Sequence, residues 1–181
     1  MITDAAKISK FLSLVLRHKP ETINLKLDEH GWADTNFLIT AMQKAGYLID
    51  MDILKEIVAA SDKQRFKFND DFTRIRANQG HSIEVDLNFE AKTPPEILYH
   101  GTATKNLDSI KQHGLLKQSR HHVHLSADVE TARAVGTRYG KPVVLIINAQ
   151  IMHKNGITFY QSDNGVWLTE FVDPKYIKFE E

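Results

Sequence analysis

Midway along the chain, Thr93-Pro94-Pro95 interrupts the hydrophobic patterning, and the residues on its two sides follow different rules. Consecutive prolines lack the amide hydrogens that continue a helix or a central strand, so regular structure must break there. The periodicity already weakens from Gln79 onward. A boundary near residue 90 therefore separates a domain of residues 1–90 from one of residues 91–181, each with its own small core.

The first stretch reads as short helices followed by a basic hairpin. Ile8, Phe11, Leu12, Val15 and Leu16 recur at helical spacing, and Pro20 prevents much continuation. Thr35 is expected to cap a second helix carrying Phe37, Leu38, Ala41, Met42 and Ala45, with Gly46 at the left-handed position beyond its end. A third helix, from about Asp52, presents Ile53, Leu54, Ile57 and Val58 before Ser61. Phe66, Phe68, Phe72 and Ile75 then alternate with polar residues around the turn signal Asn69-Asp70-Asp71. Three helices and a β-hairpin suggest a winged-helix module, which serves as a packing domain or as a nucleic-acid surface.

The second stretch mixes strands and helices. Ile97–Tyr99, Val123–Leu125 and Val143–Ile147 read as strands, and Thr104–His113 and Asp128–Tyr139 as helices. The class is therefore α+β. Neither GxGxxG nor GxxxxGK[ST] occurs, so a bound nucleotide would need a frame other than a Rossmann fingerprint or a P-loop.

Composition narrows the partners. The formal net charge is zero, so any RNA contact must come from a local patch rather than the bulk field. There is no cysteine, which removes disulfides, cysteine-based zinc sites and thiol nucleophiles. No apolar run reaches the roughly 18 residues of a membrane span, and the first residues lack the basic start and apolar block of a signal peptide. A cytoplasmic protein with no membrane association is expected.

Five segments carry side chains suited to chemistry. Leu16-Arg17-His18-Lys19-Pro20 closes the first helix with titratable and cationic groups, which also complement the helix dipole. From Lys63 to Arg76 five Lys/Arg face two Asp, with Arg65 and Lys67 on one strand face, although basic residues also protect strand edges from mispairing. Tyr99-His100-Gly101-Thr102 closes a predicted strand, where glycine permits close backbone approach and His and Thr offer partners for ribose hydroxyls. In Arg120-His121-His122-Val123-His124-Leu125-Ser126 two histidines share a strand face, and a metal site is the rival reading. Asp163-Asn164-Gly165 reads as a turn ahead of Val166 and a buried Trp167.

In this order, these segments resemble the tRNA 2′-phosphotransferase family of fungi, bacteria and archaea. The resemblance runs through Phe11-Leu12-Ser13 to Pro20, Gly31-Trp32-Ala33, Ser61-Asp62-Lys63-Gln64-Arg65-Phe66, Leu98–Thr102, His122–Ser126 and Asn164–Thr169, nearly the whole chain. It implies an N-terminal winged-helix lobe and a C-terminal ADP-ribosyltransferase-like lobe with the active site between them. It implies an Arg-His-Arg-Arg tetrad on Arg17, His18, Arg65 and Arg120, with Arg133 and Arg138 as nearby rivals for the fourth place. It also implies NAD⁺ contacts from His100, Gly101, Thr102, His124, Ser126 and Val166, with NAD⁺ as co-substrate and no metal.

The implied reaction removes an internal 2′-phosphate from a tRNA-like RNA by transfer to NAD⁺. Such a phosphate carries nearly two negative charges and NAD⁺ adds a pyrophosphate, so arginine forks that never deprotonate suit the site. Many ADP-ribosyltransferases carry a glutamate where the resemblance places Val166. A phosphate is already an anionic nucleophile and needs no such base. The rival functions are ADP-ribosyl transfer to another acceptor, such as a nucleic-acid 5′-phosphate, a protein or a small molecule, and a non-catalytic nucleic-acid-binding protein. A monomer is expected.

Overall fold

The structure, a computed structural model, describes residues 1–179. The chain forms two compact units, Met1–Asn88 and Phe89 onward, each with its own core.

The first unit begins with helix α1, Ala5–Arg17. The Asp4 carboxylate accepts from the amides of Ala6 and Lys7 at 2.8 and 3.3 Å, satisfying donors that a helix start leaves open. Ile8, Leu12, Val15 and Leu16 form its buried stripe. Fully burying one such side chain stabilises by about 1.5–3 kcal/mol. The helix stops at His18, whose amide still reaches Leu14 O at 3.0 Å, because Pro20 cannot extend the ladder.

Strand β1 (Ala33–Asp34) leads directly into helix α2 (Thr35–Lys44). Its cap is Asp34 rather than Thr35: the Asp34 carboxylate accepts from Phe37 N at 2.7 Å, and Thr35 is the first helical residue. Both residues are good caps, and carboxylate geometry decides between them. Gly46 lies at φ +93°, one residue past the C-cap Ala45, where a side chain would be strained. Helix α3 (Met51–Ala59) starts at the Asp50 cap, slightly earlier than its apolar pattern suggests.

Strands β2 (Phe66–Phe68) and β3 (Arg74–Ala77) pair antiparallel, Phe66 opposite Ala77 and Phe68 opposite Ile75. β1 adds to the far edge of β3, giving the order β1-β3-β2. Phe72 is not part of the strand alternation. It sits in the connecting turn at φ 61°, exposed, with its ring 5.3 Å from that of Phe68. Asn69 and Asp71 shape this turn by accepting from Arg74 N and Thr73 N.

The second unit runs β4 (Leu98–Ala103), α4 (Leu107–His113), β5 (Leu115–Leu116), β6 (Val123–Leu125), α5 (Val129–Thr137) and β7 (Pro142–Ile147). It continues with α6 (Ala149–Lys154), β8 (Phe159–Gln161), β9 (Trp167–Thr169), β10 (Phe171–Val172) and β11 (Ile177–Lys178). Its strands form small antiparallel sheets with the orders β4-β7-β11, β6-β9-β8 and β5-β10. The whole is α+β. Leu98, Leu125, Leu145 and Phe159 are fully buried at its centre.

β4 is longer than its apolar pattern suggests. All six of its residues pair with β7, so His100, Gly101 and Thr102 lie within the strand and not beyond its end. Helix α5 packs tightly on this strand: a Cβ at Gly101 would stand 1.5 Å from the Ala132 carbonyl oxygen, and one at Gly136 would stand 2.6 Å from Thr102 O. Among the described residues no helix is long and apolar enough to cross a membrane.

Candidate active site

In the first unit, Arg17, His18 and Arg65 share one hydrogen-bonded frame. Arg17 is the last residue of α1, and its guanidinium donates to the Arg65 carbonyl at 3.5 Å while lying 5.7 Å from the centre of the Phe66 ring. That carbonyl also accepts from Asn78 N at 2.9 Å. The Asn78 side-chain amide donates to the preceding carbonyl, that of Gln64, which sits at φ 40°. Arg65 N in turn donates to Ser61 Oγ at 3.3 Å. A buried asparagine thus fixes the backbone from which Arg65 projects.

His18 is held from the same downstream segment. Its Nδ1 lies 2.8 Å from Ser82 Oγ, and Ser82 N donates to the Arg17 carbonyl at 2.9 Å. Arg17 O is one of the last carbonyls of α1, which has no partner inside the helix. Residues 78–82 therefore bind both the end of α1 and the turn before β2.

In the second unit, His100 and His124 meet across strands. His100 Nδ1 is 3.0 Å from the His124 carbonyl oxygen, and Tyr99 exchanges both backbone hydrogen bonds with Ser126 at 2.8 Å. A carbonyl only accepts, so Nδ1 carries the hydrogen. Burial pushes the His100 pKa below the ordinary histidine range, and the His124 carbonyl opposes this only in part. At neutral pH the ring is therefore neutral and presents the Nε2 lone pair as an acceptor.

Thr102 is buried, with Oγ1 accepting from Asn106 Nδ2 at 3.1 Å. Gly101 owes its missing side chain to α5, whose backbone occupies the space a Cβ would need. Arg120 ends the turn after β5, its amide donating to Lys117 O at 2.9 Å, and Lys117 pairs with Glu170. Arg120 is half-buried, whereas Arg133 and Arg138 are exposed on α5 and at its end. Val166 sits in the turn between β8 and β9, where Ser162 Oγ accepts its amide at 3.1 Å. Burial lowers the pKa of His122, with the Glu170 carboxylate opposing and His121 and Lys117 adding to the effect. Its ring packs edge-on against Tyr160 and Phe89 at 5.5 and 6.4 Å. Among the described residues no three His, Asp or Glu side chains gather to hold a metal ion.

Sequence patterning singled out neither Asn78 nor Ser82. Their partners lie 14 and 64 residues away, beyond the reach of local spacing.

Arginine and histidine side chains held on hydrogen-bonded backbone suit a ligand that carries phosphate groups. The family described as RNA 2′-phosphotransferase, Tpt1 / KptA family, matches residues 3–171. A probable RNA 2′-phosphotransferase of Fusobacterium nucleatum is 57% identical over 174 residues, 96% of this chain and 97% of that protein. Proteins of the same name from Flavobacterium johnsoniae and Burkholderia pseudomallei are 54% and 53% identical, each covering 97% of this chain and 97% and 95% of their own lengths. The chain belongs to the RNA 2′-phosphotransferase family. It is an enzyme, and its substrate is RNA.

Proposed function

We propose that the enzyme removes an internal 2′-phosphate from a tRNA-like RNA by transferring it to NAD⁺. In this reading residues 1–90 are a winged-helix lobe that binds the RNA phosphate, and residues 91–181 are an ADP-ribosyltransferase-like lobe that binds NAD⁺. The observation that carries it is the shared frame of Arg17, His18 and Arg65: the Arg17 guanidinium is held by the Arg65 carbonyl and the His18 imidazole by the Ser82 hydroxyl, and Arg65 projects from that same bonded backbone. Arg120 is the fourth member of the tetrad that the family resemblance implies.

The RNA 2′-phosphate oxygen attacks C1″ of the NAD⁺ ribose, and the C1″–N bond breaks with loss of nicotinamide. The product is an RNA-2′-phospho-ADP-ribose. Its 2″-hydroxyl then attacks the phosphorus, and the bond from phosphorus to the RNA 2′-oxygen breaks. The RNA leaves with a 2′-hydroxyl, taking up one proton for the one the 2″-hydroxyl lost, and the other product is ADP-ribose 1″,2″-cyclic phosphate. Arg17, Arg65 and Arg120 offset the charge of the phosphate and the forming cyclic diester. His18 serves the second step, as proton donor to the departing 2′-oxygen or as a charge-stabilising donor.

His100, Gly101, Thr102, His124, Ser126 and Val166 form the NAD⁺ side of this reading. The neutral His100 ring supports it, because an Nε2 acceptor suits a ribose hydroxyl. Val166 in place of a carboxylate suits an acceptor that is already anionic. The protein is expected to act as a cytoplasmic monomer and to need no metal. Nicotinamide release tests the reading: it should require a 2′-phosphorylated oligonucleotide and persist in EDTA. Equal release with the 2′-hydroxyl oligonucleotide would move the acceptor elsewhere, and abolition by EDTA would bring a metal into the reaction.

A further inference from the structure

Two histidines of this enzyme face partners of different kinds. His100 Nδ1 meets a backbone carbonyl, which accepts only, so its neutral ring has a single tautomer. His18 Nδ1 meets the hydroxyl of Ser82 at 2.8 Å. A hydroxyl adapts: its oxygen accepts from Nδ1–H in the charged ring and in the neutral ring that has given its proton from Nε2, and its hydrogen can serve Nδ1 in the other neutral tautomer. We propose that Ser82 is a positioning residue that holds the His18 imidazole in one orientation through both protonation states. This rests on the proposed role of His18 in the second step.

The chemistry asks for such a partner. A group that gives a proton to a departing oxygen alternates between charged and neutral forms. A carboxylate partner would hold the ring charged. Serine does not. The backbone of Ser82 is fixed independently, by the bond from its amide to the Arg17 carbonyl at 2.9 Å. Its hydroxyl is thus presented to His18 from an anchored main chain. The Ser82 side is exposed, so removing the hydroxyl leaves no buried cavity.

The test is steady-state and single-turnover kinetics on an oligonucleotide with one internal 2′-phosphate, using wild type, Ser82→Ala and Ser82→Thr. Ser82→Ala keeps the backbone bond and loses the hydroxyl. It should lower kcat about fivefold to thirtyfold, the range of one hydrogen bond, with KM for the RNA little changed. RNA-2′-phospho-ADP-ribose should accumulate, as with His18→Ala, and Ser82→Thr should recover most of the rate. Wild-type kinetics in Ser82→Ala, or equal losses in the Ala and Thr variants, would overturn the role of Ser82. Wild-type protein that leaves the oligonucleotide unchanged would sink the parent reading, and the role of Ser82 with it.

Discussion

The carbonyl oxygen of His124 lies 3.0 Å from Nδ1 of His100, which gives the partly buried ring one neutral tautomer. Burial is the larger influence on this imidazole and moves its pKa below the ordinary value of 6.5. The folded state then binds a proton less readily than the unfolded chain, so stability falls as pH drops below about 6.5, until the lowered folded pKa is passed. His122 contributes with the same sign. His100→Asn retains a donor to the His124 carbonyl and removes the titration. Thermal unfolding at pH 7 and pH 5 should show a smaller acid loss in this variant, and an identical loss would contradict the assignment.

Gly101→Ala should be poorly tolerated for a reason unrelated to ligand. The new methyl would stand 1.5 Å from the Ala132 carbonyl oxygen, part of the α5 backbone. Overpacking usually costs about 1–3 kcal/mol, and a backbone obstacle places this variant at or above the top of that range. Chemical denaturation reads it directly. A fully stable Gly101→Ala would contradict this packing constraint.

Arg65→Ala and His18→Ala should separate the two steps. Arg65→Ala is expected to lose at least about a hundredfold in phosphate removal with the fold intact, as for loss of a preorganised charge-stabilising donor. His18→Ala should slow the second step more than the first and let RNA-2′-phospho-ADP-ribose accumulate. Wild-type rates in the first variant, or equal slowing of both steps in the second, would remove those roles.

Asn78→Ala should weaken the enzyme through Arg65. It deletes the bond to the Gln64 carbonyl and leaves the Asn78 amide bonded to Arg65 O. Loss of one such hydrogen bond costs about 0.5–1.5 kcal/mol. We expect a lower Tm together with a weaker Kd for a 2′-phosphorylated oligonucleotide. A lower Tm with unchanged Kd would make Asn78 purely structural.

What could be read from the sequence followed from spacing. Ile8, Leu12, Val15 and Leu16 define α1 because one helix face repeats every three or four residues. Asp34 and Thr35 compete as caps one position apart, and only the bond to Phe37 N separates them. Phe72 kept the alternating pattern while sitting in a turn, since a period of two does not reveal where a strand ends. β5, β10 and β11 have two residues each, too few to carry any period. The bonds from residues 78–82 to Arg17, His18 and Arg65 depend on chain segments meeting in space. Gly101 was legible as a close approach, and the packing of helix α5 against it depends on the chain fold rather than on local spacing.

The fate of the phosphate is the most direct test of the proposed reaction. Purified protein is incubated with an oligonucleotide bearing one internal 2′-phosphate, with and without NAD⁺, and both RNA and small products are resolved. NAD⁺-dependent conversion to a 2′-hydroxyl with formation of ADP-ribose 1″,2″-cyclic phosphate is the expected result. Phosphate removal without NAD⁺, with inorganic phosphate as the product, would contradict it.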